Sequence, residues 1–463
     1  MIERYTTPEM GAIVSLRHKY ELWLQVEIAV LWALWHDNQI TKKAYEEIRQ
    51  KVEFDVERIT YLDEGPDNPT PFHHDMNAFI EACKEHMREA GVSEKVINLF
   101  HIKITSYDTE DPAFSLKLIS ATELLQSSLE ELIYNLLKRA RDHEETYMMG
   151  ITHGQAAEPI TLALKLFNFI AALKRDLERL QASKEKMHVS KLSGAVGTYN
   201  QLSPKIEELA LNQLGLEPVS ASTQIVHRDI HARLASDICI MISNLGHIAN
   251  NLWLMCQFPR CEAQEPFGKK QRGSSIMPHK KNPILLERMR GMATIARGYL
   301  SSIMESIPTY DERAIDQSCV ERVAYNDLLL LAHYMLVKMA KVIEGMVFFP
   351  EKMIENIESA LGLWASGNVK SMLLEQGISE LKFGAEKKTL SVYEWVQRCA
   401  FYAKQNNQHL LDVLKTPGGI ILQWKAVTPI DVDDQIQLIN GCFDYKHHLQ
   451  HLPAVYNRFS SIT

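Results

Sequence analysis

Residues 273–283 read Gly-Ser-Ser-Ile-Met-Pro-His-Lys-Lys-Asn-Pro, preceded by Lys269-Lys-Gln-Arg272. Two hydroxyls, two lysines and an amide therefore lie between a flexible glycine start and the last of the φ-fixing Pro278 and Pro283. Pro283 can open a helix over 284–307, which leaves Asn282 near its positive end. Lys280, the Asn282 amide and main-chain N–H groups would then converge where an anion can sit. A charged surface turn has the same composition, so the segment alone does not decide its use. Other clusters read as bland. His227 and His231 are spaced like a metal-binding pair, but no HExxH accompanies them. His447, His448 and His451 suit a solvated or packed helix face, and Cys256 and Cys261 lack the second pair of a zinc site. No glycine-rich phosphate fingerprint follows a strand, so neither a metal nor a dinucleotide cofactor is expected.

Positioning such residues needs a large scaffold. At 463 residues the chain is too long for one compact core. Its 46% hydrophobic and 23% charged residues fit an ordinary globular protein and exclude a disordered or fibrous one. A net charge of -8 gives no general attraction for nucleic acid, so any anionic ligand needs cations gathered in one pocket. The seven cysteines are scattered without a CxxC pair, which points to reduced thiols. The first residues do not form a signal peptide, and no uncharged apolar run reaches the ~18 residues of a membrane span. A cytoplasmic protein with no membrane partner is expected.

Long stretches without glycine dominate the middle of the chain: 113–149, 160–193 and 309–344. In the first, Leu118, Ala121, Leu125, Leu129, Leu132, Leu136 and Ala140 repeat with the 3–4 spacing of a helical stripe. Asp111-Pro112 offers a cap with proline at the first helical position, and Gly150 a stop. Such a helix would exceed ~50 Å. Several side by side imply a long bundle, and such bundles often bury their remaining apolar faces by oligomerising. Shorter helices are expected over 20–38 and 75–90, split by the turn-rich 63–71, and again after 362, where loops such as 416–419 occur. Sustained strand signals are lacking. The expectation is an all-α chain of three domains: a helical 1–111, a long-helix 112–362 carrying the loop 269–283, and a helical 363–463.

The pattern Gly-Ser-Ser-x-Met-Pro-x-Lys-x-Asn-Pro resembles the signature loop of the fumarase/aspartase superfamily. Other blocks resemble the branch that cleaves adenylosuccinate: Met1-Ile-Glu-Arg-Tyr5, His74-Asp75, Thr105-Ser106, Thr152-His-Gly154, Ser193-Gly-Ala-Val-Gly-Thr198, Gln224 with Arg228-Asp229, Glu312-Arg313, Glu321-Arg322 and Cys442-Phe-Asp-Tyr445. They occur in family order along almost the whole chain. The resemblance implies a three-domain fold whose central bundle forms the core of a homotetramer, with active sites shared between subunits. It also implies β-elimination of fumarate from a succinylated nucleotide, without metal or organic cofactor.

The resemblance assigns roles as well. Ser274 would be the base and His153 the general acid, with Glu287 its charge partner. Lys280, Asn282 and loop amides would hold the aci-carboxylate, whose charge is the main obstacle to the reaction. Ser275 is the alternative base, although a hydroxyl that bonds the loop backbone is the plainer role for it. His74, beside Asp75, would orient the nucleotide, and Thr105-Ser106 would grip the second succinyl carboxylate. Arg4, Tyr5, Arg313, Ser318 and Arg322 map to phosphate and ribose contacts, Gln224 to the substrate amide region, and Met277 to the substrate side of the loop.

The chain departs from the family pattern at Ile151, Ile102-Lys103, His227, Ala314 and Gln317, mostly where the leaving group is recognised. A lyase for another N-succinyl compound is therefore the first rival. A ring-forming cycloisomerase of the same superfamily fits the phosphate arginines poorly. A non-catalytic helical scaffold would not need His153, Ser274, Lys280 and Asn282 together.

Overall fold

The computed structural model describes residues 1–384, 388–416 and 431–460; residues 417–419 of the expected 416–419 loop lie outside them. The chain is mainly helical. Its long helices are Ser106–Arg141, Leu162–Lys186, Asp229–Cys256, Ile284–Glu305 and Asn326–Gly345. The expected stripe is the buried face of the first: Leu118, Ala121, Leu125, Leu129, Leu132, Leu136 and Ala140 are all 0% exposed. Each fully buried leucine contributes roughly 1.5–3 kcal/mol, so tertiary burial, more than intrinsic propensity, holds this helix.

Helix boundaries differ from the sequence expectation for physical reasons. The first long helix starts at Ser106, not at Pro112, which lies inside it. The Thr105 N–H donates to the Asp108 carboxylate at 2.9 Å and the Asp108 N–H to the Thr105 carbonyl at 2.8 Å, a cap that starts the helix at Ser106, ahead of Pro112. The helix ends at Arg141, before the expected stop at Gly150. Shorter helices run Leu16–His36 and Asp75–Glu89, close to expectation. The third glycine-free stretch becomes helical only at Asp316 and carries a π turn over Glu321–Tyr325.

The expectation of no strands is corrected by Tyr147–Thr152 and Gln155–Thr161, which form an antiparallel hairpin, and, among the described residues, by three smaller two-stranded sheets. The hairpin turn is His153-Gly154, with φ of 52° and 74°, the all-positive pattern of a type I′ turn. Its register shifts at Gly150, where an added Cβ would lie 2.6 Å from the Glu158 carbonyl oxygen. Only glycine fits that approach.

The chain divides into two compact units. One comprises residues 1–132, 173–247 and 288–340; the other comprises 133–172, 248–287 and 341–463. A separate apolar cluster of the second unit gathers Leu373, Trp395, Leu414 and Ile439. The Asp229–Cys256 helix is, contrary to expectation, long and apolar enough to cross a membrane, but half of its apolar window is buried within the protein. Leu234, Leu245 and Leu252 on it are 0% exposed, as in a core helix.

Candidate active site

In the first unit several candidate residues are held by ion pairs, some buried and some partly exposed. His74 caps the Asp75–Glu89 helix, its Nδ1 accepting the Asn77 N–H at 3.4 Å. The adjacent Asp75 binds Lys19 at 2.7 Å and Arg322 at 2.8 Å. Burial alone would push the Asp75 carboxyl up, but these two cations outweigh it and hold it below the usual range. Arg322 comes from the π turn, together with Glu321. Glu321 pairs with Arg228 at 2.6 Å, and Arg228 also binds Asp111 at 2.8 Å while only 2% exposed. Burial opposes the Arg228 charge, yet Asp111 and Glu321 keep the guanidinium protonated.

Arg313 donates to the Gln224 amide oxygen at 2.7 Å and stacks 4.0 Å above the Tyr107 ring. Thr105 and Ser106 form the start of the Ser106–Arg141 helix, and Ser318 lies buried beside Tyr107. Tyr5 packs edge-on against Tyr334 and under Arg288, whereas Arg4 projects to solvent from a single 3-10 turn. A cavity of ≈ 220 Å³ is lined in part by Lys19, Glu110, Lys117, Ser318 and Arg322. Burial, with Asp75 adding, pushes the Glu110 carboxyl up to about 7, and burial brings Lys117 down to about 8. Glu110 and Lys117 carry no motif signal, which is why sequence reasoning missed them.

In the second unit His153 and the 273–283 candidates lie on turns, and Glu287 on the first turn of the Ile284–Glu305 helix. His153 occupies the tip of the hairpin and is exposed, with no ion pair among the described residues. Glu287, expected to be its charge partner, accepts the Trp253 indole N–H at 3.1 Å within this chain. The 273–283 loop folds on itself: the Ser274 N–H donates to the Lys280 carbonyl at 3.3 Å, and a Cβ on Gly273 would meet that carbonyl oxygen at 2.3 Å. The hydroxyl that bonds the loop backbone is Ser274's, not Ser275's, because its Oγ receives the N–H groups of Ile276 at 3.3 Å and Met277 at 3.1 Å. Lys280 and Met277 are exposed and Asn282 half-buried.

One expected anion site is already filled. The Leu285 and Leu286 N–H groups at the start of the Ile284–Glu305 helix both donate to the Glu265 carboxylate at 2.9 Å. The helix is thus capped from within, so an anion cradle in this unit is left with Lys280, Asn282 and loop amides.

The departures from the family pattern have local partners. Lys103 donates to Gln39 at 2.6 Å, His227 faces Asp229 at 2.8 Å, and the buried Gln317 donates to the Tyr107 hydroxyl at 3.3 Å. His231 is buried against Phe114 and does not share the exposed setting of His227.

The family profile described as Lyase matches residues 3–298, more than half of the chain. An adenylosuccinate lyase of Synechocystis sp. is 34% identical over 459 residues, covering 99% of both chains. Those of Aquifex aeolicus and Bacillus subtilis are 36% and 32% identical, the former over 89% of this chain and 91% of its own, the latter over 99% of both. Among solved structures, a fumarate lyase from Mesorhizobium sp. superimposes with a TM-score of 0.83 at 20% identity over 99% of each chain. A β-carboxy-cis,cis-muconate cycloisomerase from Acinetobacter calcoaceticus does so with 0.81 at 22% identity, over 98% of this chain and 97% of its own. At such identities the structures speak for the fold alone, whereas the profile and the full-length relatives speak for descent: this chain belongs to the lyase family of the fumarase/aspartase superfamily, the family of the adenylosuccinate lyases.

Proposed function

We propose that the chain cleaves adenylosuccinate by β-elimination to AMP and fumarate, and acts likewise on the succinylated imidazole-carboxamide nucleotide of purine synthesis. Full-length similarity to adenylosuccinate lyases is the observation that carries this reading.

In the proposed reaction, Ser274 as alkoxide removes a proton from the succinyl carbon next to a carboxylate. The electron pair moves into that carboxylate, giving a dianionic aci form held by Lys280, Asn282 and loop amides. The pair then returns to form the C=C bond of fumarate while the C–N bond breaks, and protonated His153 delivers its proton to the departing nitrogen, with Glu287 supporting its charge. A serine is a weak base in water. Two main-chain N–H groups directed at Ser274 Oγ favour its ionised form and so support this role. Thr105 and Ser106 grip the second carboxylate, His74 orients the nucleotide, and Arg4, Tyr5, Arg313, Ser318 and Arg322 hold phosphate and ribose, with Gln224 at the amide. Arginine forks suit phosphate because they donate two parallel hydrogen bonds. The functional assembly is a homotetramer whose sites draw on more than one subunit, and the three domains 1–111, 112–362 and 363–463 supply its parts. No cofactor enters any step.

The experiment is a panel of succinylated amines followed by fumarate absorbance, with product identification. Stoichiometric AMP and fumarate from adenylosuccinate is the expected result. Silence with adenylosuccinate and release from another N-succinyl amine would move the assignment to a different leaving group, and silence throughout would favour a scaffold.

A further inference from the structure

We infer that Lys191, paired with Asp108, is a positioning residue that holds the Thr105–Ser106 turn ready for the substrate's second carboxylate. The inference rests on the carboxylate-gripping role proposed above for that turn. Both side chains are 0% exposed, and Lys191 Nζ lies 2.7 Å from Asp108 Oδ1. Burying two charges costs more than an apolar pair would, so stability alone is a weak reason for an ion pair here. Its geometry supplies a better one. The Asp108 carboxylate also accepts the Thr105 N–H at 2.9 Å and the Gly194 N–H at 3.2 Å, while Lys191 donates to the Gly194 carbonyl at 3.1 Å. One pair thereby joins the start of the long helix to the glycine loop 193–198.

The connection continues and closes on itself. Gln224 donates to the Ala195 carbonyl of that loop at 3.1 Å, and its amide oxygen takes Arg313 at 2.7 Å. Arg313 in turn stacks on Tyr107, two residues beyond Thr105 on the helix that carries Asp108. Carboxylate grip, amide contact and phosphate arginine thus belong to one circuit of hydrogen bonds, closed by the cation–π contact of Arg313 with Tyr107. Its fully buried joint is Lys191–Asp108. Losing the lysine would leave Asp108 buried with two amide donors and no cation, and the turn and the glycine loop would separate. Neither residue touches the reacting atoms in the proposed mechanism, so binding should suffer more than chemistry.

The test compares wild type, Lys191→Met and the double variant Asp108→Asn/Lys191→Met. The double variant removes both charges and strands no buried ion if the single variant fails to fold. Steady-state fumarate release from adenylosuccinate is measured together with amide hydrogen exchange of peptides covering 104–108 and 193–198. In the folded variants KM is expected to rise by roughly tenfold with a smaller fall in kcat, as for a lost binding contact. Exchange should accelerate in both peptides together. An unchanged KM, a fall confined to kcat, or exchange that leaves 104–108 protected would overturn the inference. A wild-type protein that releases no fumarate would instead overturn the functional reading. The exchange arm needs no substrate and still decides whether the pair ties the two segments.

Discussion

The two units present their candidate residues in opposite ways. In the first, Arg228 and Asp108 are locked into buried ion pairs, Asp75 into partly exposed ones, and charged side chains line the cavity. In the second, His153 and the 273–283 loop stand on exposed turns whose geometry comes from glycines and main-chain hydrogen bonds. Rigid recognition and movable proton transfer place different demands on a fold. Binding a charged nucleotide is served by preorganised charge, whereas groups that must exclude water at the moment of reaction are served by loops that close. Substitutions in the two units should therefore fail differently.

The largest effect is expected at the hairpin tip. His153→Ala should lower kcat for fumarate release by about 10²–10⁴-fold, the scale of a lost general acid, with an unchanged unfolding midpoint in denaturant. A comparable loss of stability would erase the contrast between the units. Arg228→Met should do the reverse, because it strands Asp111 and Glu321. A loss of about 3–5 kcal/mol in chemical denaturation is expected.

Glu110 sharpens the contrast through pH. Its carboxyl keeps a proton up to about pH 7 in the folded protein against 4.5 for the free group, chiefly because it is buried. The folded state therefore holds more protons between these values, and stability falls as pH rises through that window, by on the order of 2–3 kcal/mol. Glu110→Gln should flatten this dependence in melts taken at pH 5 and pH 8, with the gain in stability seen at pH 8. The smallest effect is expected for the exposed His227→Gln. Among the described residues it faces Asp229, and stability should stay within about 0.5 kcal/mol by the same denaturation assay.

Much of this was legible in the sequence where the physics is local. The apolar stripe from Leu118 to Ala140 declares a buried helix face, and every member is buried. The motif around Ser274 signals a turn, and Gly273 is where a side chain cannot fit. The helix start was misjudged because Asp111-Pro112 is the louder signal, while Thr105-Ser-Tyr-Asp108 is the capping pattern that operates. The hairpin is hard to read because Gly150 and Pro159 interrupt its two strands and break the alternation that marks a strand, although His153-Gly154 supplies the two positive φ angles its turn requires. Lys191 with Asp108, or Glu265 at the start of the Ile284–Glu305 helix, could not be read at all. These pairs join residues far apart in the chain or outside any periodic pattern, and only the folded chain brings them together.

The most direct test is to measure substrate binding and turnover side by side for Ser274→Ala. Adenylosuccinate should bind within a few-fold of wild type while fumarate release is lost. Wild-type turnover from this variant would contradict this expectation, and with it the idea that the exposed loop supplies the base while the buried network supplies recognition.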